Sequence, residues 1–151
     1  MADGEDKFPG RTLVSDGEWA GWRQWSGSDP FEDLAGPFYT RNGTDGSVVS
    51  AFRAEKRHMN GIGFMHGGCM LTFADFCLFM IGREALKDSH AVTVTLNGEF
   101  VGSVYEGDLV ECRGDIVRAG GSLVFLRGLI TTGDRTAMSF SGVVKKVRKR
   151  A

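Results

Sequence analysis

Asp75 stands in the run Phe73-Ala74-Asp75-Phe76-Cys77-Leu78-Phe79. A charged carboxylate among such neighbours is costly to bury unless it is paired or hydrogen-bonded. The residues three and four places away on either side are Leu71, Thr72, Leu78 and Phe79, so no lysine or arginine is spaced to pair with it on a helix. An acid of this kind has a pKa open to upward tuning and suits proton transfer. The alternative is a structural aspartate bonded to Thr72 or to a backbone group. Gly67-Gly68 open the same apolar run. The first turn of a helix carries free N–H groups and the positive end of the helix dipole, and glycine lets a ligand oxygen approach the backbone closely. That is the geometry of an oxyanion site, although glycines also begin helices for packing reasons. Asn60 adds a side-chain N–H for the same oxygen, or makes a turn. His66 is placed to act as a base or, as is commoner at such a position, to cap or orient the helix. What these groups share is an oxyanion-type site for a ligand oxygen beside a candidate functional acid.

A helix must carry this constellation. From about His66 to Glu84 the chain is apolar on nearly every side, so the helix has to be buried, and Gly82 or the polar run from Arg83 to Ser89 ends it. Before it, Asp29 as N-cap and Pro30 at the first helical position predict a short helix over Phe31–Ala35. Phe38–Arg41 and Val48–Ala54 read as strands around Asn42-Gly43 and Asp45-Gly46. After it, Val92, Val94 and Leu96 alternate with polar residues, as do Val110, Cys112, Gly114 and Ile116. Leu123–Ile130 is almost continuously apolar, and Met138 and Phe140 lead into Val143, Val144 and Val147. Turn signals at Glu106-Gly107, Gly120-Gly121 and Gly133-Asp134 predict antiparallel strands joined by short hairpins. The order is a short helix, two strands, a buried helix and four strands. A sheet wrapped around one helix covers only part of it, and a second subunit must cover the rest.

The 151 residues fit one domain, expected over 29–151, behind a polar leader at 1–28. The leader holds Trp19, Trp22 and Trp25, whose spacing of three predicts one face of a helical turn packed on the body, with a ligand-covering role as the alternative. Glycine, at 22 residues, has about twice its usual share, which points to many tight connections. A net charge of -1 gives no basic field for nucleic acid. The cysteines Cys69, Cys77 and Cys112 are odd in number and form no C-x-x-C, which argues against a disulfide framework or a zinc site. The first residues lack the pattern of a signal peptide, and the apolar stretch from Cys69 to Ile81 is too short to span a bilayer. The expectation is a cytoplasmic protein with neither a membrane nor a nucleic-acid partner. Lys145, Lys146, Arg148, Lys149 and Arg150 form a basic tail, which reads as a solvated end or as a contact for anionic phosphates.

Asn60, Gly63, His66-Gly67-Gly68 and Asp75, with every spacing intact, resemble the signature of the PaaI-type (phenylacetate-degradation) hotdog thioesterases. Phe31-Glu-Asp-Leu-Ala-Gly-Pro-Phe-Tyr is similar to that family's leading helix and first strand, and the resemblance covers roughly residues 30 to 147. It implies an α+β hotdog fold, an antiparallel sheet around a central helix, in dimers or dimers of dimers with sites at the subunit interface. It implies an acyl-CoA substrate, with coenzyme A as part of the substrate, no separate cofactor and no metal. By position, the Gly67 N–H and the Asn60 amide polarise the thioester carbonyl. Asp75 of the facing subunit acts as general base or nucleophile, Thr93 helps hold the water, and His66 is the motif histidine. Gly63, Phe64, Met65 and Gly68 are expected beside the substrate. Gly61 after Asn60 and the aromatic character of the helix depart from the family pattern. Two other readings are open: a hotdog hydratase or dehydratase, whose usual H-F-P-G-type segment is absent, and a non-catalytic acyl-CoA-binding module.

Overall fold

A computed structural model describes residues 11–25 and 29–148. Asp29 accepts the Glu32 N–H at 3.1 Å and Pro30 fixes the first helical φ, so α1 (Pro30–Ala35) begins where the sequence predicts. Strands β3 (Tyr39–Asn42) and β4 (Val48–Arg53) follow, separated by a turn in which Asp45 accepts the Ser47 N–H. A 3₁₀ turn (Lys56–His58) leads to α2 (Gly67–Ile81). The predicted helix to Glu84 is two elements, because Gly82 caps α2 and a separate turn, α3 (Arg83–Leu86), follows. A Cβ on Gly82 would lie 3.0 Å from Leu126 and 3.1 Å from the Leu78 carbonyl, so the chain bends where it has no side chain to clash. Four long strands complete the chain: β5 (His90–Phe100), β6 (Leu109–Ala119), β7 (Leu123–Thr132) and β8 (Arg135–Val147).

Two further strands precede α1, and they correct the reading of the tryptophans. β1 (Arg11–Leu13) and β2 (Arg23–Trp25) pair with each other, and β2 pairs with β3 through Arg23–Thr40 and Gln24–Tyr39. The helical turn expected from Trp19, Trp22 and Trp25 is not formed. Trp19 stacks on Tyr39 with centroids 4.1 Å apart, Trp22 meets Trp19 edge-on, and Arg41 lies over Trp22 at 4.4 Å. The exposed edge of β3 offers hydrogen bonds and an aromatic surface together, and these outweigh the local spacing signal.

The strands form one antiparallel sheet in the order β1-β2-β3-β4-β6-β7-β8-β5. β5 therefore pairs with β8, and β6 with β4 and β7. The hairpin predicted at Glu106-Gly107 is instead a crossing from the sheet's far edge back to its middle. Periodicity identifies strands but not their partners. The crossing is tied down: Val104 is buried, and its carbonyl accepts the Met65 N–H at 2.8 Å, just before α2.

The sheet curls around α2, which packs on β4, β5, β6, β7 and β8. Phe73, Ala74, Cys77 and Leu78 of α2 are fully enclosed, and Phe38, Phe52, Phe73 and Phe76 form an aromatic cluster. Each such fully buried Phe or Leu contributes about 1.5–3 kcal/mol. The helix can sit this close because facing strand positions lack side chains. Gly114 and Gly128 are cross-strand partners, and a Cβ on Gly114 would fall 2.2 Å from the Arg127 carbonyl and 2.5 Å from Ile81. A Cβ on Gly142 would fall 2.6 Å from Leu78. Gly114→Ala is expected to destabilise the fold by about 1–3 kcal/mol in chemical denaturation, through overpacking against backbone that cannot yield. Gly121→Ala, at a position with open space around it, is expected to stay within about 0.5 kcal/mol of the parent.

Candidate active site

The loop before α2 is built on two residues. His58 is buried, its Nδ1 accepts the Glu55 N–H at 2.9 Å, and its Nε2 donates to the Ala35 carbonyl at 2.7 Å. Burial pushes its pKa down, which suits the neutral ring that this pairing requires. The His58 carbonyl in turn accepts the His66 N–H at 2.8 Å, so this histidine joins α1, the 3₁₀ turn and the start of α2. Asn60 closes the loop between them. Its Oδ1 accepts the N–H groups of Ile62 and Phe64 at 3.0 and 3.1 Å, and Gly63, at φ 90°, makes the reversal. With Oδ1 used in this way, the Nδ2 group points away from the loop's own amides and has no partner among the described residues.

His66 is the N-cap of α2. Its Nδ1 accepts the Gly68 N–H at 2.9 Å, and its carbonyl accepts the N–H groups of Cys69 and Met70 at 2.9 and 3.2 Å. Three of the four amides that open the helix are thereby satisfied. The fourth, the Gly67 N–H, has no acceptor among the described residues, and it lies at the positive end of a fully formed helix. The Phe100 ring covers the adjacent α-carbon, where a Cβ would lie 3.2 Å from it. The capping geometry commits the Nδ1 lone pair of His66 to the helix.

Asp75 lies two turns further along, half-buried, and accepts the Thr93 hydroxyl at 2.6 Å. Thr72 donates to the Gly68 carbonyl instead. A register shift between Thr93 and Thr95 turns Thr93 and Leu96 toward the helix while Val94 and Thr95 remain exposed. Burial raises the Asp75 pKa, the Thr93 hydrogen bond opposes that rise, and the nearby Asp29 charge adds to it; the net shift is upward.

Two clefts meet at Phe31 and Thr72. One, of about 350 Å³, holds Asp75 with Asp29, Glu32, Leu71 and Leu96; the other, of about 530 Å³, holds His66, Gly68, Cys69 and Arg57. Asn60, Gly63, His66, Gly67 and Gly68 thus gather at the head of α2, and Asp75 and Thr93 at its middle. Met65 packs in the core and Phe64 stands edge-on to Tyr105; like Asn60, Gly63, Gly67 and Thr93, they are not among the residues that line these two clefts. Burial holds the Cys69 thiol up at about 11, protonated at neutral pH and no nucleophile. The acids in the first cleft are not grouped as metal ligands. Lys145 and Arg148 are exposed and line neither cleft, and Lys149 and Arg150 lie outside the described residues. Among the described residues no helix is long and apolar enough to cross a membrane.

Two residues at the site escaped the sequence reading. His58 sits in Lys56-Arg57-His58, which looks like a solvated charge run. Glu32 looks like a first-turn acid that complements the helix dipole. Glu32 is half-buried in the Asp75 cleft, and its pKa is pushed up to about 7 by burial and by the charges of Asp29, Asp75 and Asp33.

The thioesterase superfamily model matches residues 62–139. A Pseudomonas aeruginosa protein named as a candidate esterase is 32% identical over 117 residues, which cover 77% of this chain and 87% of that protein. The E. coli PaaI protein from the phenylacetic acid degradation operon superposes with a TM-score of 0.68 at 17% identity, covering 80% of this chain and 86% of its own. A hypothetical thioesterase protein from Streptococcus pneumoniae, solved with coenzyme A, gives a TM-score of 0.66 at 18% identity, covering 76% and 88%. The solved structures share the α+β hotdog fold that the resemblance implied.

The raised Asp75 pKa is also a statement about stability. Below the ordinary aspartate range both folded and unfolded chains carry the protonated acid, and the charge costs nothing. Above the folded pKa the fold bears the full cost of a half-buried charge. Asp75→Asn is therefore expected to stabilise the protein by about 0.5–2 kcal/mol near pH 7.5, a few degrees in Tm, with the gain vanishing near pH 3. Thermal melts of both proteins at the two pH values check this.

Proposed function

The chain belongs to the thioesterase superfamily and has a PaaI-like hotdog fold; from that premise we propose that it hydrolyses an acyl- or aryl-CoA thioester to the free acid and coenzyme A. The observation that carries the reading is the unsatisfied Gly67 N–H. Its three neighbours at the head of α2 are bonded to His66, which leaves one amide free between His66 and Gly68, two residues that line the second of the two clefts. A thioester carbonyl seated there receives the Gly67 N–H and the Asn60 Nδ2–H. As the carbonyl carbon is attacked, its oxygen becomes negative and both donors strengthen. Asp75, charged and steadied by Thr93, removes a proton from water as the new C–O bond forms, or attacks the carbon directly. Collapse of the tetrahedral species then breaks the C–S bond and releases the coenzyme A thiolate; in the first route the proton held by Asp75 passes to the thiolate, and in the second water cleaves the acyl-aspartyl anhydride to the free acid, supplies the thiolate's proton and restores the carboxylate.

One protomer does not assemble this arrangement. Gly67 and Asp75 are eight positions apart on one helix, roughly 12 Å along its axis, too far for one carbonyl to meet both. This supports a dimer in which the carbonyl held at one protomer's Gly67 faces its partner's carboxylate. β5 offers the edge for it. One side of β5 pairs with β8, the other has no strand beside it among the described residues, and Val92 and Val94 on it are about half exposed. A second β5 would continue the sheet and cover them. Coenzyme A as the leaving group is suggested by the Streptococcus pneumoniae relative, which was solved with that molecule. Phe31, Leu71 and Leu96 around the acid fit an uncharged aliphatic or aryl acyl group.

The test is thiol release over a panel of acyl- and aryl-CoA thioesters, with hydration of an enoyl-CoA followed in parallel. The expected result is hydrolysis of at least one thioester and no hydration. Asp75→Asn is expected to lower kcat by about 100-fold or more while the protein stays folded. An intact, folded protein that hydrates enoyl-CoA, or that binds thioesters without cleaving any, would contradict the proposal.

A further inference from the structure

Glu32 is a further acid of the Asp75 cleft, and the chemistry described above has not used it. α1 lies against α2 so that Glu32 and Asp75 line one cleft of about 350 Å³, with Asp29 at its margin. The rest of the lining is Phe31, Leu71, Thr72 and Leu96, which screen charge poorly. The charges that bear on Glu32 are all acidic: Asp29 and Asp33 from its own segment and Asp75 from α2. From β5 the cleft receives no charged side chain: Leu96 lines it, and the Thr93 hydroxyl is bonded to Asp75. The basic groups packed against α1 come from the 3₁₀ turn and point at its far end. Arg57 donates to the Leu34 and Gly36 carbonyls and pairs with Glu55, and His58 is bonded to the Ala35 carbonyl.

Two carboxylates in such a space do not ionise independently. The Thr93 hydrogen bond favours the charged form of Asp75, so Asp75 loses its proton first, and its charge then helps keep the proton on Glu32. Over the intervening range the pair carries one proton and one charge. Resting on the thioesterase reading, we propose that Glu32 is a positioning residue for Asp75, holding a proton so that the substrate meets no further negative charge beside Asp75. When Glu32 ionises, the added charge opposes the oxyanion that must form on the carbonyl.

The experiment has two arms. In the first, the full-length protein is labelled with ¹³C at the glutamate side-chain carboxyls and titrated by NMR. One glutamate signal is expected to titrate at about 7, to be absent in Glu32→Gln, and to move to lower pH in Asp75→Asn, where the neighbouring charge is gone. In the second, kcat/KM for a hydrolysed thioester is followed against pH. The parent is expected to lose activity as pH rises through that titration, and Glu32→Gln to hold its rate within about threefold over the same range. A Glu32 signal in the ordinary glutamate range, a signal indifferent to Asp75→Asn, or a Glu32→Gln profile that falls as the parent's does would overturn the proposal. The first arm needs no turnover. A protein that cleaves no thioester would therefore sink the thioesterase reading while the NMR titration still decides whether the two acids share a proton.

Discussion

A helix apolar on nearly every side has to be enclosed, and the enclosure of α2 dictates most of this molecule. Strands can close around it only where their own side chains vanish, so Gly114 and Gly142 lie where Ile81 and Leu78 of the helix press on the sheet, and Gly128 makes room for the Phe140 ring of β8. Wrapping also sends β5 to the far edge of the sheet, beside β8, and forces the 101–108 crossing back over the end of the helix. That crossing binds Met65 through the Val104 carbonyl, which helps fix the residue at which α2 begins. The aromatic cluster of Phe38, Phe52, Phe73 and Phe76 then holds the helix against rotation.

Once the helix is fixed, its electrostatics follow. The head of α2 has four amides to satisfy, and one capping histidine satisfies three of them. The remaining Gly67 N–H is an unanswered partial positive charge beside a cleft. Midway along, the same enclosure strips water from Asp75, whose charge is tolerated because Thr93 donates to it. Both groups are costly to the fold, and the carbonyl chemistry proposed for them would be the return on that cost. Glu32 belongs to the same account, since the cleft that makes Asp75 a better base also makes a second charge beside it expensive.

The parts of this arrangement that were legible in the sequence are those set by neighbours along the chain. Asp29 and Pro30 start α1 because a cap acts over three residues, and the spacing from Asn60 to Asp75 survives because it lies within one loop and one helix. What could not be read depends on contacts between distant segments. The tryptophans of the leader obey a helical spacing, but the open edge of β3 draws them into strand pairing and stacking. The turn residues at Glu106-Gly107 signal a reversal without saying which strand lies next. Glu32 and His58 acquire their roles from what packs against them, namely Asp75 for one and the Ala35 carbonyl for the other.

The central claim is that the carbonyl clamp and the carboxylate of each site come from different copies of the chain. Mixing two crippled proteins tests it most directly. Asp75→Asn removes the base, and Asn60→Asp removes the Nδ2–H donor while keeping the oxygen that closes the loop. After unfolding and refolding an equimolar mixture, half of the dimers are hybrids, and each hybrid holds one site with both groups intact. The account predicts recovery to about a quarter of the parent's thioester hydrolysis per protomer. A mixture no more active than its two components would mean that clamp and carboxylate belong to the same chain, and would contradict it.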